Sequence, residues 1–292
     1  MKPRFVLLAA LAASCLSSTA WTAEPAAGAP QLFVAGDSTA FGYEPNPRNQ
    51  QGWAAVLQPY FDAGKLRVVN AARGGRSSRT FITEGLWDQL LTQLRKGDYV
   101  IIQFGHNDAG PVNEEPPGSK RPPRARGTLP GIGAESREID NLVTGKHETV
   151  YSYGWYVRRM IQDVRAKGAT AILLTPTKAN SWKRGQIPCA FEKYRQWTYQ
   201  LATDEKVVFL DLSRITADRY QREGSATVKA QFIDGDNLHT NLAGAKANAR
   251  DVVSGLRALD TLPLRDMLSN EGRKVPADSG PPGDSVCAAL QP

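Results

Sequence analysis

Cysteine and histidine are both scarce, with three of each in 292 residues. No Cys-x-x-Cys pair and no Cys/His spacing of the zinc or redox kind occurs, so no metal and no redox cofactor is expected. No apolar run, the N-terminal one included, is long enough to cross a bilayer. No helix-turn-helix or zinc-finger pattern is present, and no internal repeat, so neither nucleic acid nor a solenoid surface is indicated. The scarcity of histidine also leaves only His106, His147 and His239 as candidates for a histidine base.

The chain does have an unusual start. "MKPRFVLLAALAASCLSSTAWTAEPAAGAP" carries Lys2 and Arg4, an apolar stretch from Phe5 to Leu16, and small residues after it. That order predicts a signal peptide over residues 1–23, cleaved after Ala20 or Ala23, and an exported protein, secreted or periplasmic. "LAASC" is a looser match to a lipoprotein box at Cys15, because Ala12 stands where leucine is usual. With Cys15 removed, Cys189 and Cys287 remain as a pair in a disulfide-permissive compartment, and a bond between them is favoured over two free thiols. Net charge is +7, or +5 without Lys2 and Arg4. Outside the cytoplasm such an excess suits an acidic polymer, or serves solubility alone.

Apolar residues make up 41% of the chain, an ordinary globular share. Five runs, "LFVAG", "LRVVNAA", "DYVIIQFG", "ATAILLTPT" and "KVVFLDLS", lack period-two alternation, as expected of parallel strands covered on both faces. Helical patterns lie between and after them, over 53–63, 82–95, 150–167, 191–205 and 242–259. Alternation of this kind predicts an α/β fold with a five-stranded parallel sheet, occupying residues 24–260. Residues 109–149, rich in Pro, Gly and charge, read as a long loop insertion, and 261–292 as a loop-like C-terminal extension.

Polar sequences gather where strands end. "GDSTA" follows the first strand and presents Ser38; "NAARGGRSSRT" follows the second; "FGHNDAG" follows the third; "DGDNLHTN" precedes the last helix. In open α/β sheets chemistry sits past the carboxyl ends of strands. Asp236 and His239 are three residues apart, one helical turn, so the carboxylate can fix the imidazole tautomer. Ser38, Asp236 and His239 thus supply nucleophile, orienting acid and base. Gly75 and Ser38 can offer backbone N–H groups, and Asn107 its amide, to an oxyanion. Each feature also has an ordinary reading, as turn serine, flexible Gly-Gly turn, polar loop or cap pair. Their common position at element ends, in a consistent order, favours the site. Asp37 is assigned to shaping the turn and His106 to a structural hydrogen bond; His147 is given no role. Arg73, Arg76 and Arg79 flank the Gly75 turn and are candidates for contacting a carboxylated sugar chain, or for local pairing; Arg121, Arg124 and Arg126 lie in the insertion.

"GDSTA", "NAARGGRSSRT", "GHND" and "DGDNLHTN" together resemble the four blocks of the SGNH, or GDSL-type, hydrolase superfamily. Its named residues match Ser38, Gly75, Asn107 and His239, and Asp236 matches its triad acid. "GRSSRT", "GHND" and "GKHETVYSYGWYVRRMIQDVRAKGAT" resemble the rhamnogalacturonan acetylesterase branch. The resemblance spans about Leu32 to Leu259, the 109–149 segment being longer than the family pattern requires. It implies a three-layer α/β/α sandwich, flavodoxin-like, and metal-free ester hydrolysis through an acyl-enzyme. The leading expectation is a secreted acetylesterase acting on pectin-like polysaccharide. A lipid or broad-specificity esterase is the enzymatic rival, and a non-catalytic polysaccharide-binding protein the other; oligomeric state is left open.

Overall fold

The computed structural model describes residues 28–115, 122–189 and 191–290; the leader, Cys15 and Arg121 lie outside them. Among the described residues there are seven strands: β1 Gln31–Gly36, β2 Arg67–Asn70, β3 Tyr99–Gln103, β4 Ser136–Asp140, β5 His147–Tyr151, β6 Thr170–Leu174 and β7 Val208–Leu210. The α-helices are α1 Ser78–Thr83, α2 Leu86–Gln93, α3 Tyr153–Ala166, α4 Glu192–Asp204, α5 Leu212–Glu223, α6 Ser225–Lys229, α7 Leu242–Ala258 and α8 Asn270–Lys274. Five strands form an all-parallel sheet in the order β2-β1-β3-β6-β7, the α/β/α arrangement expected.

Side chains of a strand alternate between faces, and β1 divides its own accordingly. Leu32 and Val34 join Ile101, Ile172 and Leu174 under α7, whose Ala249, Val252, Val253 and Leu256 cover that face with Trp53 and Leu57. Phe33 and Ala35 join Val100, Ile102 and Leu173 under Trp87 of α2, Val157, Met160 and Ile161 of α3, and Leu201 of α4. Full burial of each Val, Leu, Ile, Phe or Met side chain among them contributes about 1.5–3 kcal/mol. Strand order reverses between β1 and β3, where Gly36 pairs in register with Gln103. Their exits therefore lie side by side, at the place where such sheets bind ligands.

Several expected elements differ. The 53–63 helix is two 3₁₀ turns, Trp53–Val56 and Gln58–Tyr60, because Pro59 lacks an N–H and cannot sit inside an α-helix. The 82–95 helix starts earlier and is split into α1 and α2 at Gly85, whose φ is +76°. The 109–149 segment is not a plain loop: it contains β4 and pairs it with β5, Ser136 opposite Tyr151 and Asp140 opposite His147. Residues 261–292 are not loop-like throughout. A 3₁₀ turn at Pro263–Met267 and α8 bring Leu264, Leu268 and Val275 into the core. α5 was not foreseen. It buries Arg214, Asp218 and Arg219 beside its apolar residues, which hides the helical period. Arg219 Nε lies 2.7 Å from Asp251 of α7, and Arg214 pairs with Asp278 of the C-terminal segment. Cys189 and Cys287 are joined by a disulfide, as favoured from the sequence.

Candidate active site

The turn after β1 is built by Asp37. Its carbonyl accepts from Ala40 N and Phe41 N, and its Oδ1 accepts from the Thr39 N–H and hydroxyl, both at 2.8 Å. Ser38 stands at the centre of this turn, 8% exposed, and Tyr43 donates its hydroxyl to the Ser38 carbonyl at 3.2 Å.

His239 arrives from the other end of the chain, just before α7, which Asn241 caps by accepting from Ala243 N and Gly244 N. Its loop is docked on two sides. Gln51 N donates to the Thr240 carbonyl, Thr240 returns its hydroxyl to the Gln51 carbonyl, and Asn180 N donates to the Asn237 carbonyl. His239 Nε2 lies 2.9 Å from Ser38 Oγ, and Nδ1 lies 2.7 Å from Asp236 Oδ2. Asp236 Oδ1 also accepts from Leu238 N and His239 N. Burial opposes its charge, yet the His239 side chain and these backbone donors hold its carboxyl below the usual range. An ionised Asp236 keeps the proton on Nδ1 and leaves Nε2 as an acceptor facing the serine hydroxyl.

The second and third sequence blocks are tied to this turn. Arg73 N donates to the Gly36 carbonyl at 3.0 Å, and Asn107 Nδ2 donates to the Arg76 carbonyl at 3.0 Å. Asn107 therefore has one amide N–H committed and a second left over. Gly75 has φ +77°, in the left-handed region that favours glycine. Among the described residues, neither the Gly75 N–H nor the Ser38 N–H meets an acceptor. Asp108 locks the two blocks together: its Oδ1 accepts from Ser78 N and the Ser78 hydroxyl, its Oδ2 from Gly105 N. Burial pushes its carboxyl up to about 6.

His106 makes the structural hydrogen bond expected of it, on a larger scale than expected. Nδ1 lies 2.8 Å from Asp37 Oδ2 and Nε2 lies 3.0 Å from the Thr177 carbonyl, so both nitrogens face acceptors. The side chains are 2% and 0% exposed. Burial opposes charge on both, but their mutual attraction and hydrogen bond prevail, holding Asp37 below and His106 above its ordinary range. This buried ion pair, which sequence reading missed, lies directly beneath the turn that carries Ser38. Its only sequence signal was the histidine beside Asn107.

The three flanking arginines do not share a role. Arg79 is a correction: its side chain is wholly buried and pairs with Glu148 through two 2.7 Å contacts, while Nη1 donates to the Val112 and Gly127 carbonyls. Its donors face protein, so it is a strut and not a substrate contact. Arg76 bonds Glu84 at 2.7 Å and the Gly74 carbonyl at 2.9 Å. Arg73 remains exposed, over the Phe41 ring. His147 is exposed on β5, against Glu138 and Asp140 and remote in contact from Ser38. A cavity of about 750 Å³ between α5, α7 and the C-terminal segment contains none of Ser38, Asp236 and His239. Among the described residues no helix is long and apolar enough to cross a membrane.

Comparison with known proteins fits this architecture. The GDSL-like Lipase/Acylhydrolase family model matches residues 34–247. The chain is 31% identical over 229 residues to the uncharacterized esterase YxiM of Bacillus subtilis, covering 77% of this chain and 51% of that one. It thus spans about half the length of that relative. A crystal structure of YxiM superposes with a TM-score of 0.61 at 29% identity, over 78% of this chain and 56% of the other. Rhamnogalacturonan acetylesterase of Emericella nidulans is 29% identical, over 83% of this chain and 93% of its own. The probable rhamnogalacturonan acetylesterase YesY of B. subtilis is 30% identical, over 82% and 98%. The matched region runs from β1 into α7 and so contains every element that builds the site; the chain belongs to the GDSL-like lipase/acylhydrolase family of ester hydrolases.

Proposed function

We propose that the protein is a secreted carbohydrate O-acetylesterase that removes acetyl groups from a pectic, rhamnogalacturonan-like polysaccharide. The observation that carries this reading is the hydrogen-bonded series Ser38 Oγ, His239, Asp236, at 2.9 and 2.7 Å. His239 Nε2 takes the Ser38 proton as Oγ attacks the acetyl carbonyl. The carbonyl oxygen becomes an oxyanion, received by the Ser38 and Gly75 N–H groups and the spare Asn107 amide N–H. Collapse of the intermediate releases the sugar alkoxide, to which His239 returns the proton. Water, deprotonated by His239, then attacks the acetyl-serine, and acetate leaves as Oγ regains its proton.

The names and coverage of the relatives support an acetylated pectic substrate. The leader-like start of the chain and the Cys189–Cys287 bond support export to an oxidising compartment. Acetate release from acetylated rhamnogalacturonan, acetylated xylan and aryl esters of increasing acyl length tests the reading. Preference for the pectic polymer and for acetyl over longer acyl groups is expected. Preference for long acyl chains would overturn it in favour of a lipid esterase.

A further inference from the structure

Among the arginines around the site, Arg126 is set apart by what it lacks. Arg76 and Arg79 have carboxylate partners, and Arg73 lies on an aromatic face. Arg126 has no ion pair among the described residues, and its Nε is buried without any hydrogen-bond partner. Burial, and the like charge of Arg124, hold the guanidinium below the ordinary arginine range. The side chain is half-buried, and its shielded Nε, left without an acceptor, costs stability unless an anion meets it.

Its position is built, not incidental. Arg126 N and Gly127 N both donate to the Pro111 carbonyl, at 3.1 and 2.7 Å, and Thr128 N donates to the Asp108 carbonyl. Glu114 and Arg124 bridge as an antiparallel pair, so this segment runs back along the one that leaves Asn107. The buried Arg79 strut holds the Gly127 carbonyl from beneath at 2.8 Å. The side chain then reaches the Gly75 turn: a Cβ on Gly75 would lie 3.6 Å from Arg126 Nη1. Asp37, whose charge favours the guanidinium, is already committed to His106 and Thr39.

We propose that Arg126 is a specificity-determining residue that pairs with a carboxylate of the glycosyl unit bearing or adjoining the acetyl ester, and so selects acidic over neutral acetylated polysaccharide. The proposal rests on the esterase reading above. A guanidinium fork matches a carboxylate with two parallel N–H bonds, and a neutral pentose polymer offers it no counter-charge.

The test measures kcat/KM for wild type and Arg126→Gln on acetylated pectic oligosaccharide and on acetylated xylo-oligosaccharide. A second arm uses the pectic oligosaccharide with its carboxylates methyl-esterified. The ratio of acidic to neutral kcat/KM should fall about tenfold or more in the variant, mainly through KM, as expected for loss of a charge-assisted bond. Methyl esterification should lower wild-type kcat/KM by a similar factor and affect the variant little. Equal losses on both substrates would overturn the proposal, because the guanidinium would then serve the oxyanion or the fold. An unchanged ratio, or a wild type indifferent to methyl esterification, would also overturn it. The esterification arm needs no variant, so it decides even if Arg126→Gln fails to fold. A wild type that prefers acetylated xylan refutes the pectic substrate itself, a result separable from an intact pectic preference that survives in the variant.

Discussion

Replacing His106 with Leu tests how the site is supported. In the wild type the imidazolium meets Asp37 Oδ2 at 2.8 Å and the Thr177 carbonyl at 3.0 Å, with Phe191 edge-on at 4.7 Å. Leucine keeps the volume but leaves a wholly buried carboxylate with only the Thr39 donors. Breaking a buried pair from one side costs about 3–5 kcal/mol, or about 6–20 °C in Tm at the usual conversion for a domain of this size. Urea unfolding at pH 6 measures it, with an unchanged slope showing that only stability moved. The double variant Asp37→Asn/His106→Leu should cost less than the two single changes added, since neither leaves the other's charge stranded. The pH dependence has a definite sign. Asp37, lowered from 3.8, contributes stability above that value and loses it as pH falls through its folded pKa. His106, raised from 6.5, contributes fully below that value and loses its share as pH rises through its folded pKa. The gap between wild type and His106→Leu should therefore shrink above pH 6.5. A cost below about 1 kcal/mol, or additivity in the double variant, would refute the ion pair as a support.

Ser38→Ala should lower kcat on an aryl acetate by about 10⁴-fold or more while the unfolding midpoint is kept, and His239→Ala should match it. His106→Ala reaching that severity on the same substrate would show the base to be misassigned. Asn107→Ala removes the proposed oxyanion donor and the tie to the Arg76 carbonyl, so about 10²–10³ in kcat is expected, and a loss within tenfold argues against the donor. Reducing Cys189–Cys287, which closes a separation of 98 residues, should destabilise the protein by about 2–5 kcal/mol in thermal unfolding. An unchanged midpoint would show that the tail holds without it.

The sheet was legible because each strand is a short, continuous apolar run, and parallel strands covered on both faces need nothing else. The candidate site at Ser38, Gly75, Asn107 and His239 stands out for a related reason: small and polar residues crowd where such runs stop. The misses follow from partners distant in sequence. Arg79 lies in a basic stretch that suits either a carboxylated sugar chain or local pairing, and its pairing with Glu148, 69 residues away, makes it a strut. α5 is hidden because its charged residues are buried: Asp251 and Asp278 draw Arg219 and Arg214 inward, and Asp218 pairs with Arg214. At 53–63 the apolar spacing suited a helix, and the one residue that forbids it, Pro59, was outvoted by its neighbours.

The serine and the histidine that meet at 2.9 Å are separated by 201 residues of chain. Neither the sheet alone nor any single helix brings them together; the loop before α7 must seat on Gln51 and Asn180 first. Contacts between such remote parts of a chain carry the largest loop-closure cost and form slowly. Aryl acetate hydrolysis during refolding is therefore a clock for completion of the tertiary structure. Its return should lag the recovery of helical circular dichroism, and the interval between the two signals times the docking of that one loop.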